Sequence, residues 1–183
     1  MTTRYVAWLH AVNLGSHNKV PTAWLREAAQ EAGFTDVSTY LQSGNLVVSA
    51  DTGDAAEVSN RVAALIKTGR GLDVAVTTRT SAELRHVVSR NPMPEHVVES
   101  SKLLVSFLTG VPAKAKVAAL DPDEFAPERY VVDGSHLYLW HPNGVGRSKL
   151  STVPWEKRLG VRGTARNWRT VLAVLDLLDA ASG

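Results

Sequence analysis

The chain has 183 residues, 44% of them hydrophobic, and its 20 basic and 18 acidic side chains leave a formal net charge of +2. That composition supports one large or two small packed domains and excludes disorder, and the near-neutral total gives no chain-wide attraction to nucleic acid. The absence of cysteine removes disulfides, thiolate metal sites, iron–sulfur ligation and a cysteine nucleophile, and it suits a reducing cytosol.

In chain order, Tyr5 to Leu9 is a short run of strand formers, too short for a signal-peptide core or a membrane span, and the polar stretch Asn13 to Lys19 after it is a loop. Pro21 and Thr22 open a helix whose Leu25, Ala28, Ala29 and Ala32 follow helical spacing up to Gly33. Val37 to Leu41 and Asn45 to Ser49 are strand-like runs joined by Gln42, Ser43 and Gly44, the composition of a hairpin turn. Asp54 and Glu57 have capping-box spacing ahead of a helical face of Val58, Val62, Leu65 and Ile66, and Leu72 to Thr78 alternates like a half-buried strand. A further helix begins at Thr80, with Glu83 at the capping-box position, and the prolines of Pro92 to Pro94 stop it.

The second half repeats the order. Leu103 to Leu108 reads as a strand and Ala113 to Leu120 as a short helix, and Tyr130 to Val132 and Leu137 to Trp140 form a hairpin across Asp133, Gly134 and Ser135. Ser151 or Thr152 caps a helix ending at Leu159, Val161 to Ala165 supplies a last strand, and Asn167 caps a closing helix with Trp168, Val171, Leu172, Leu175 and Leu178 on one face. The expectation is an α+β fold of two consecutive βαββαβ, ferredoxin-like subdomains with antiparallel sheets, residues 1–92 with an extra helix and 95–183 with a closing helix. The halves share element order and not residue identity, so one continuous domain of the same elements is the alternative.

Two places could carry chemistry. In a βαββαβ unit the loop after the first strand and the turn between the second and third lie at one end of the sheet, so Asn13, Gly15 and Lys19 converge on Gln42, Ser43, Gly44 and Asn45. Amides, backbone N–H groups and one ammonium suit a phosphate or carboxylate, although Asn, Gly and Ser are also what tight connections need in any case. The second place is Arg147 to Arg169, where seven cations against one acid give +6 and leave −4 for the rest of the chain. There Arg147, Ser148 and Lys149 should approach Arg166 and Asn167.

His141 to Ser148 superficially resembles a Walker phosphate loop but lacks its first glycine and its lysine, and the common hydrolase, zinc-protease and dinucleotide signatures do not occur. The six histidines are scattered, and His10 with His17 has no carboxylate close in sequence to complete a metal site. Trp155 and Trp168 sit among cations but at helical spacing with apolar residues, the pattern of core residues more than of base-stacking ones. No motif names a cofactor, a reaction or an oligomeric state.

Four patches taken together are specific: Asn13–Leu14–Gly15 with Asn18–Lys19–Val20, Thr39 to Asn45, Gly146 to Leu150, and Thr164 to Trp168. In that order they resemble the bacterial family known as domain of unknown function 1697, over nearly the whole chain. The resemblance implies an α+β fold of two subdomains with no established activity. It singles out Asn13, Gly15, Lys19, Gln42, Ser43, Gly44, Asn45, Arg147, Ser148, Lys149, Arg166, Asn167 and Trp168. Where relatives carry Arg and Gly this chain has His10 and Ala11, and a neutral imidazole would hold an anion less well than a guanidinium. The expected ligand is a phosphorylated small molecule or nucleotide between the Asn13 to Lys19 loop, the Gln42 turn and the Arg147 to Lys149 loop. A nucleic-acid-binding module and a protein-interaction module with a basic face are the rivals.

Overall fold

A computed structural model describes residues 2–180. The element order is β1 (Thr3–Leu9), α1 (Thr22–Glu31), β2 (Thr35–Thr39), β3 (Asn45–Ala50), α2 (Ala55–Arg70), β4 (Val76–Thr80), α3 (Ser81–Ser89), β5 (Leu103–Leu108), α4 (Lys114–Ala118), β6 (Arg129–Asp133), β7 (His136–Trp140), α5 (Trp155–Leu159), β8 (Gly163–Asn167) and α6 (Trp168–Ala180). The strands form two four-stranded sheets of order β2-β3-β1-β4 and β6-β7-β5-β8, every neighbouring pair antiparallel. Each places its first strand between its third and fourth, with the second at an edge, as the expected βαββαβ order requires.

The chain divides into two units. One runs to His86 and is taken up again at Leu172, and the other is Val87–Val171. In the first, α1 and α2 lay Leu25, Ala29, Val58, Val62 and Ile66 on the face of the sheet that presents Tyr5, Ala7, Leu9, Leu46 and Val48. The start of α3 and the second half of α6 also belong to this unit. Arg4 Nη2 donates to the Leu177 carbonyl, and Asp179 accepts from Ser81 Oγ and pairs with Arg85 at 2.6 Å. The capping box read at Thr80 is reciprocal: Thr80 N donates to Glu83 Oε2 and Glu83 N to Thr80 Oγ1.

Two strands start later than their composition predicts. β4 begins at Val76, not Leu72, because its partner β1 ends at Leu9, which sits opposite Val76, and earlier residues have no strand beside them. β8 spans Gly163–Asn167, two residues beyond the apolar run, because Leu108 at the end of β5 pairs with Gly163.

The largest difference lies between β7 and β8. A helix capped by Ser151 or Thr152, with Pro154 near its first position and its end at Leu159, is predicted, and the end is found there. At its start, 3₁₀ turns at Val145–Arg147 and Leu150–Thr152 precede a five-residue α5. Pro154 forces Val153 into extended backbone (φ −69°, ψ 128°), which stops the preceding turn. Where the first unit places the 16 residues of α2, the second has only these short pieces. Leu108, Tyr130, Leu137, Leu139, Leu150 and Leu159 form one cluster there. No helix among the described residues is long and apolar enough to cross a membrane.

Candidate functional site

β1 and β2 each run antiparallel to β3, so the loop leaving β1 and the turn between β2 and β3 meet at one sheet end. Leu9 N donates to the Gly44 carbonyl at 2.9 Å. Asn13, in the left-handed region at φ 56°, ties the loop together. Its Nδ2 donates to the carbonyls of Gln42 (2.6 Å) and Val20 (3.0 Å), and its Oδ1 accepts from Val20 N (2.9 Å). Asn45 is 1% exposed and donates to Tyr40 O and Ser43 Oγ, closing the turn from inside. Gly44 has φ 74°, and a Cβ there would lie 2.6 Å from Val12 Cγ2 and 2.7 Å from Leu9 Cβ, so the close approach of two chain segments requires glycine. Gly15 stands in an open turn beside exposed Leu14.

Asn13, Ser43, Gly44 and Asn45 therefore build the loop, and Lys19 and Gln42 with the start of α1 present a surface. Asn13, Lys19, Val20, Pro21, Thr22, Ala23 and Gln42 line a hollow of about 260 Å³. α1 begins there without a capping side chain, behind Pro21, and carries no acidic residue in its first turn. The N–H groups of Thr22, Ala23 and Trp24 have no intrahelical acceptor, and the positive end of the helix dipole is not neutralised.

The basic segment of the second unit is less uniform than its charge count suggests. Arg158 makes two bonds to Glu124, at 2.6 and 2.7 Å, and Arg162 pairs with Glu156 at 3.3 Å. Arg166 is buried, and its Nη1 donates to Thr164 Oγ1 and the Ala165 carbonyl. Burial pushes its pKa down to about 10. Asn167 Oδ1 accepts from Thr170 N and caps α6, and Trp168 is core. Arg147 and Lys149 are exposed.

Ser148, between them, is 6% exposed and belongs to a buried network that the sequence reading missed. Glu128, just before β6, accepts from Ser148 Oγ (3.0 Å), Lys149 N (3.1 Å) and Leu150 N (3.0 Å), and Ser148 Oγ lies 2.6 Å from His141 Nδ1. Burial alone would raise the Glu128 pKa, but the N–H groups of Leu150 and Lys149 and the Ser148 hydroxyl outweigh it, and the net shift is downward. Burial lowers the His141 pKa, with the charge of Glu128 opposing. The signal lay in the hairpin. Pairing Arg129 with Trp140 carries one step further to Glu128 opposite His141, which no scan for histidines close in sequence could find. Among the described residues no group of three or more His, Asp or Glu is placed to hold a metal ion.

The model of a family described as "Protein of unknown function (DUF1697)" matches residues 1–138. The chain belongs to the DUF1697 family. The match covers the loop, the turn and the start of α1 around the hollow, and it includes Glu128 but ends before His141 and the Gly146 to Leu150 patch. This DUF1697 chain is also similar in fold to a solved structure, the conserved bacterial protein SP0830 from Streptococcus pneumoniae. The TM-score is 0.77 at 18% identity, over 98% of this chain and 100% of that one. No curated protein matches the chain.

Proposed function

We propose that this DUF1697 protein binds the anionic group of a phosphorylated small molecule or nucleotide at the N-terminus of α1. The observation that carries the reading is the uncapped first turn of α1 facing a hollow that also holds Lys19. Three N–H donors, a dipole end and one ammonium are the components of an anion site, and Gln42 offers an amide for the part of the ligand beyond the anion. The loop that presents Lys19 is held by three hydrogen bonds of Asn13, so part of the ordering cost of binding is met in the fold. A cytosolic setting, with abundant phosphorylated metabolites, fits a chain without cysteine.

The test is a titration with inorganic phosphate and with AMP, followed by the amide NMR signals of Thr22, Ala23 and Trp24. Saturable shifts at these amides are expected, and Lys19→Ala should weaken binding about tenfold, the worth of one charge-assisted hydrogen bond. Shifts elsewhere only, or none, would refute the reading. A short RNA that binds with a log–log salt slope of several times about −0.7, while AMP does not bind, would favour the nucleic-acid alternative.

A further inference from the structure

The second unit contains a cavity of about 300 Å³ between its sheet and the segment that replaces a long second helix. Leu104, Leu108, Leu139, Val145, Trp155 and Val161 supply much of its wall, and Ser106, Ser151 and Glu156 add polar groups. Gly163 leaves room on the floor, since a Cβ there would lie 2.5 Å from Ser106 Oγ. His141 also lines the cavity, is 1% exposed, and has a buried Nε2 with no hydrogen-bond partner.

Counting protons fixes what that nitrogen is. Ser148 has one hydroxyl hydrogen and donates it to the Glu128 carboxylate, so at its 2.6 Å contact with His141 the hydroxyl oxygen accepts. Nδ1 therefore carries the imidazole hydrogen, and Nε2 is left as a bare lone pair. Glu128 is itself held by two backbone N–H groups, so the tautomer is imposed from behind by a rigid chain. A lone pair on a mainly apolar wall selects a neutral molecule that donates a hydrogen. It repels an anion, and the largely exposed Glu156 carboxylate is already paired with Arg162, so no buried charge is left to hold an ammonium. The volume is at the small end of ligand pockets, about 300–1,000 Å³, which suits a single ring, and Trp155 offers an aromatic wall.

We propose that this cavity binds a small neutral aromatic molecule carrying one hydroxyl or N–H, which it donates to His141 Nε2. The site is separate from the anion site at α1 and does not depend on it. Ser106, four residues along β5 from Lys102, whose carbonyl accepts from His141 N, lies roughly 13 Å of strand away from the histidine. Ser106 and His141 thus stand well apart along the strand and do not form a nucleophilic pair.

Phenol and anisole, equal in shape apart from the methyl that removes the donor, are the probes. With ¹⁵N-histidine-labelled protein, Nε2 of His141 should resonate as an unprotonated imidazole nitrogen and move on adding phenol. Phenol should bind saturably and at least tenfold more tightly than anisole, and His141→Phe should reduce phenol to the level of anisole. The two spectroscopic measurements need no variant and stand if His141→Phe does not fold. A proton on Nε2 in the free protein, equal affinity for the two probes, or no saturable binding of phenol would overturn the proposal. The last result would leave water as the partner of Nε2.

Discussion

Replacing Glu128 by Gln keeps the shape of the side chain and removes its charge. The carboxylate accepts from Ser148 Oγ and Leu150 N on one oxygen and from Lys149 N on the other. An amide whose oxygen keeps the first pair turns its NH₂ toward Lys149 N, donor against donor. One charge-assisted bond is lost, worth about 1.5–3 kcal/mol, and the two that remain weaken. For a chain of this length each kcal/mol moves the melting temperature by about 2–4 °C, so a fall of roughly 3–12 °C is expected. Urea unfolding followed by tryptophan fluorescence at pH 7 would measure the same change, since Trp155 borders the network's loop. Because the folded pKa of Glu128 is lowered, its contribution is complete above the ordinary carboxylate value of about 4.3 and is lost as pH falls through the folded value. The gap between parent and variant should therefore narrow as pH falls below about 4.3. Glu156→Gln, which breaks an ion pair about two-thirds exposed on both sides, should barely move the midpoint. A Glu128→Gln variant as stable as the parent at pH 7 would show that the carboxylate does not hold Lys149 and Leu150, and the tautomer assigned to His141 would fall with it.

His141 is buried with a lowered pKa, so an unfolded chain takes up a proton near pH 6.5 before the native one does. Stability should drop as pH falls from about 6.5 toward the folded value, and His141→Gln should flatten that part of the urea-midpoint profile. Gly44→Ala should cost about 2–4 kcal/mol in urea unfolding, combining a left-handed backbone with two short contacts, whereas Gly15→Ala, with φ 57° in open space, should cost about 1 kcal/mol. Equal costs would mean that the approach of Leu9 and Val12 to Gly44 is not rigid.

Periodicity and turn chemistry were enough to read the element order, because β1, β3 and β5 are centred on apolar runs and each long helix shows a clear face. Strand direction alone also brought Gln42 to the Asn13 loop. Composition could not distinguish residues that build a loop from residues that face a ligand. Asn13 and Asn45 look like binding residues in sequence and are hydrogen-bonded to their own backbone in the fold. The charge count of the basic segment likewise could not separate free from paired cations, since pairing with Glu124 and burial of Arg166 are long-range events. Glu128 and His141 stayed hidden for the same reason, thirteen positions apart in sequence and adjacent only through a hairpin register.

The last turns of α6 give the chain an order of assembly. Residues up to His86 leave the ribosome first, but Arg4, Ser81 and Arg85 find Leu177 and Asp179 only after the whole of Val87–Val171 has been made. The second unit is in effect an insertion between the two parts of the first. A fragment cut before the prolines at Pro92 to Pro94 would carry every strand of the first sheet and still lack the Leu177 carbonyl and Asp179 that Arg4, Ser81 and Arg85 bind.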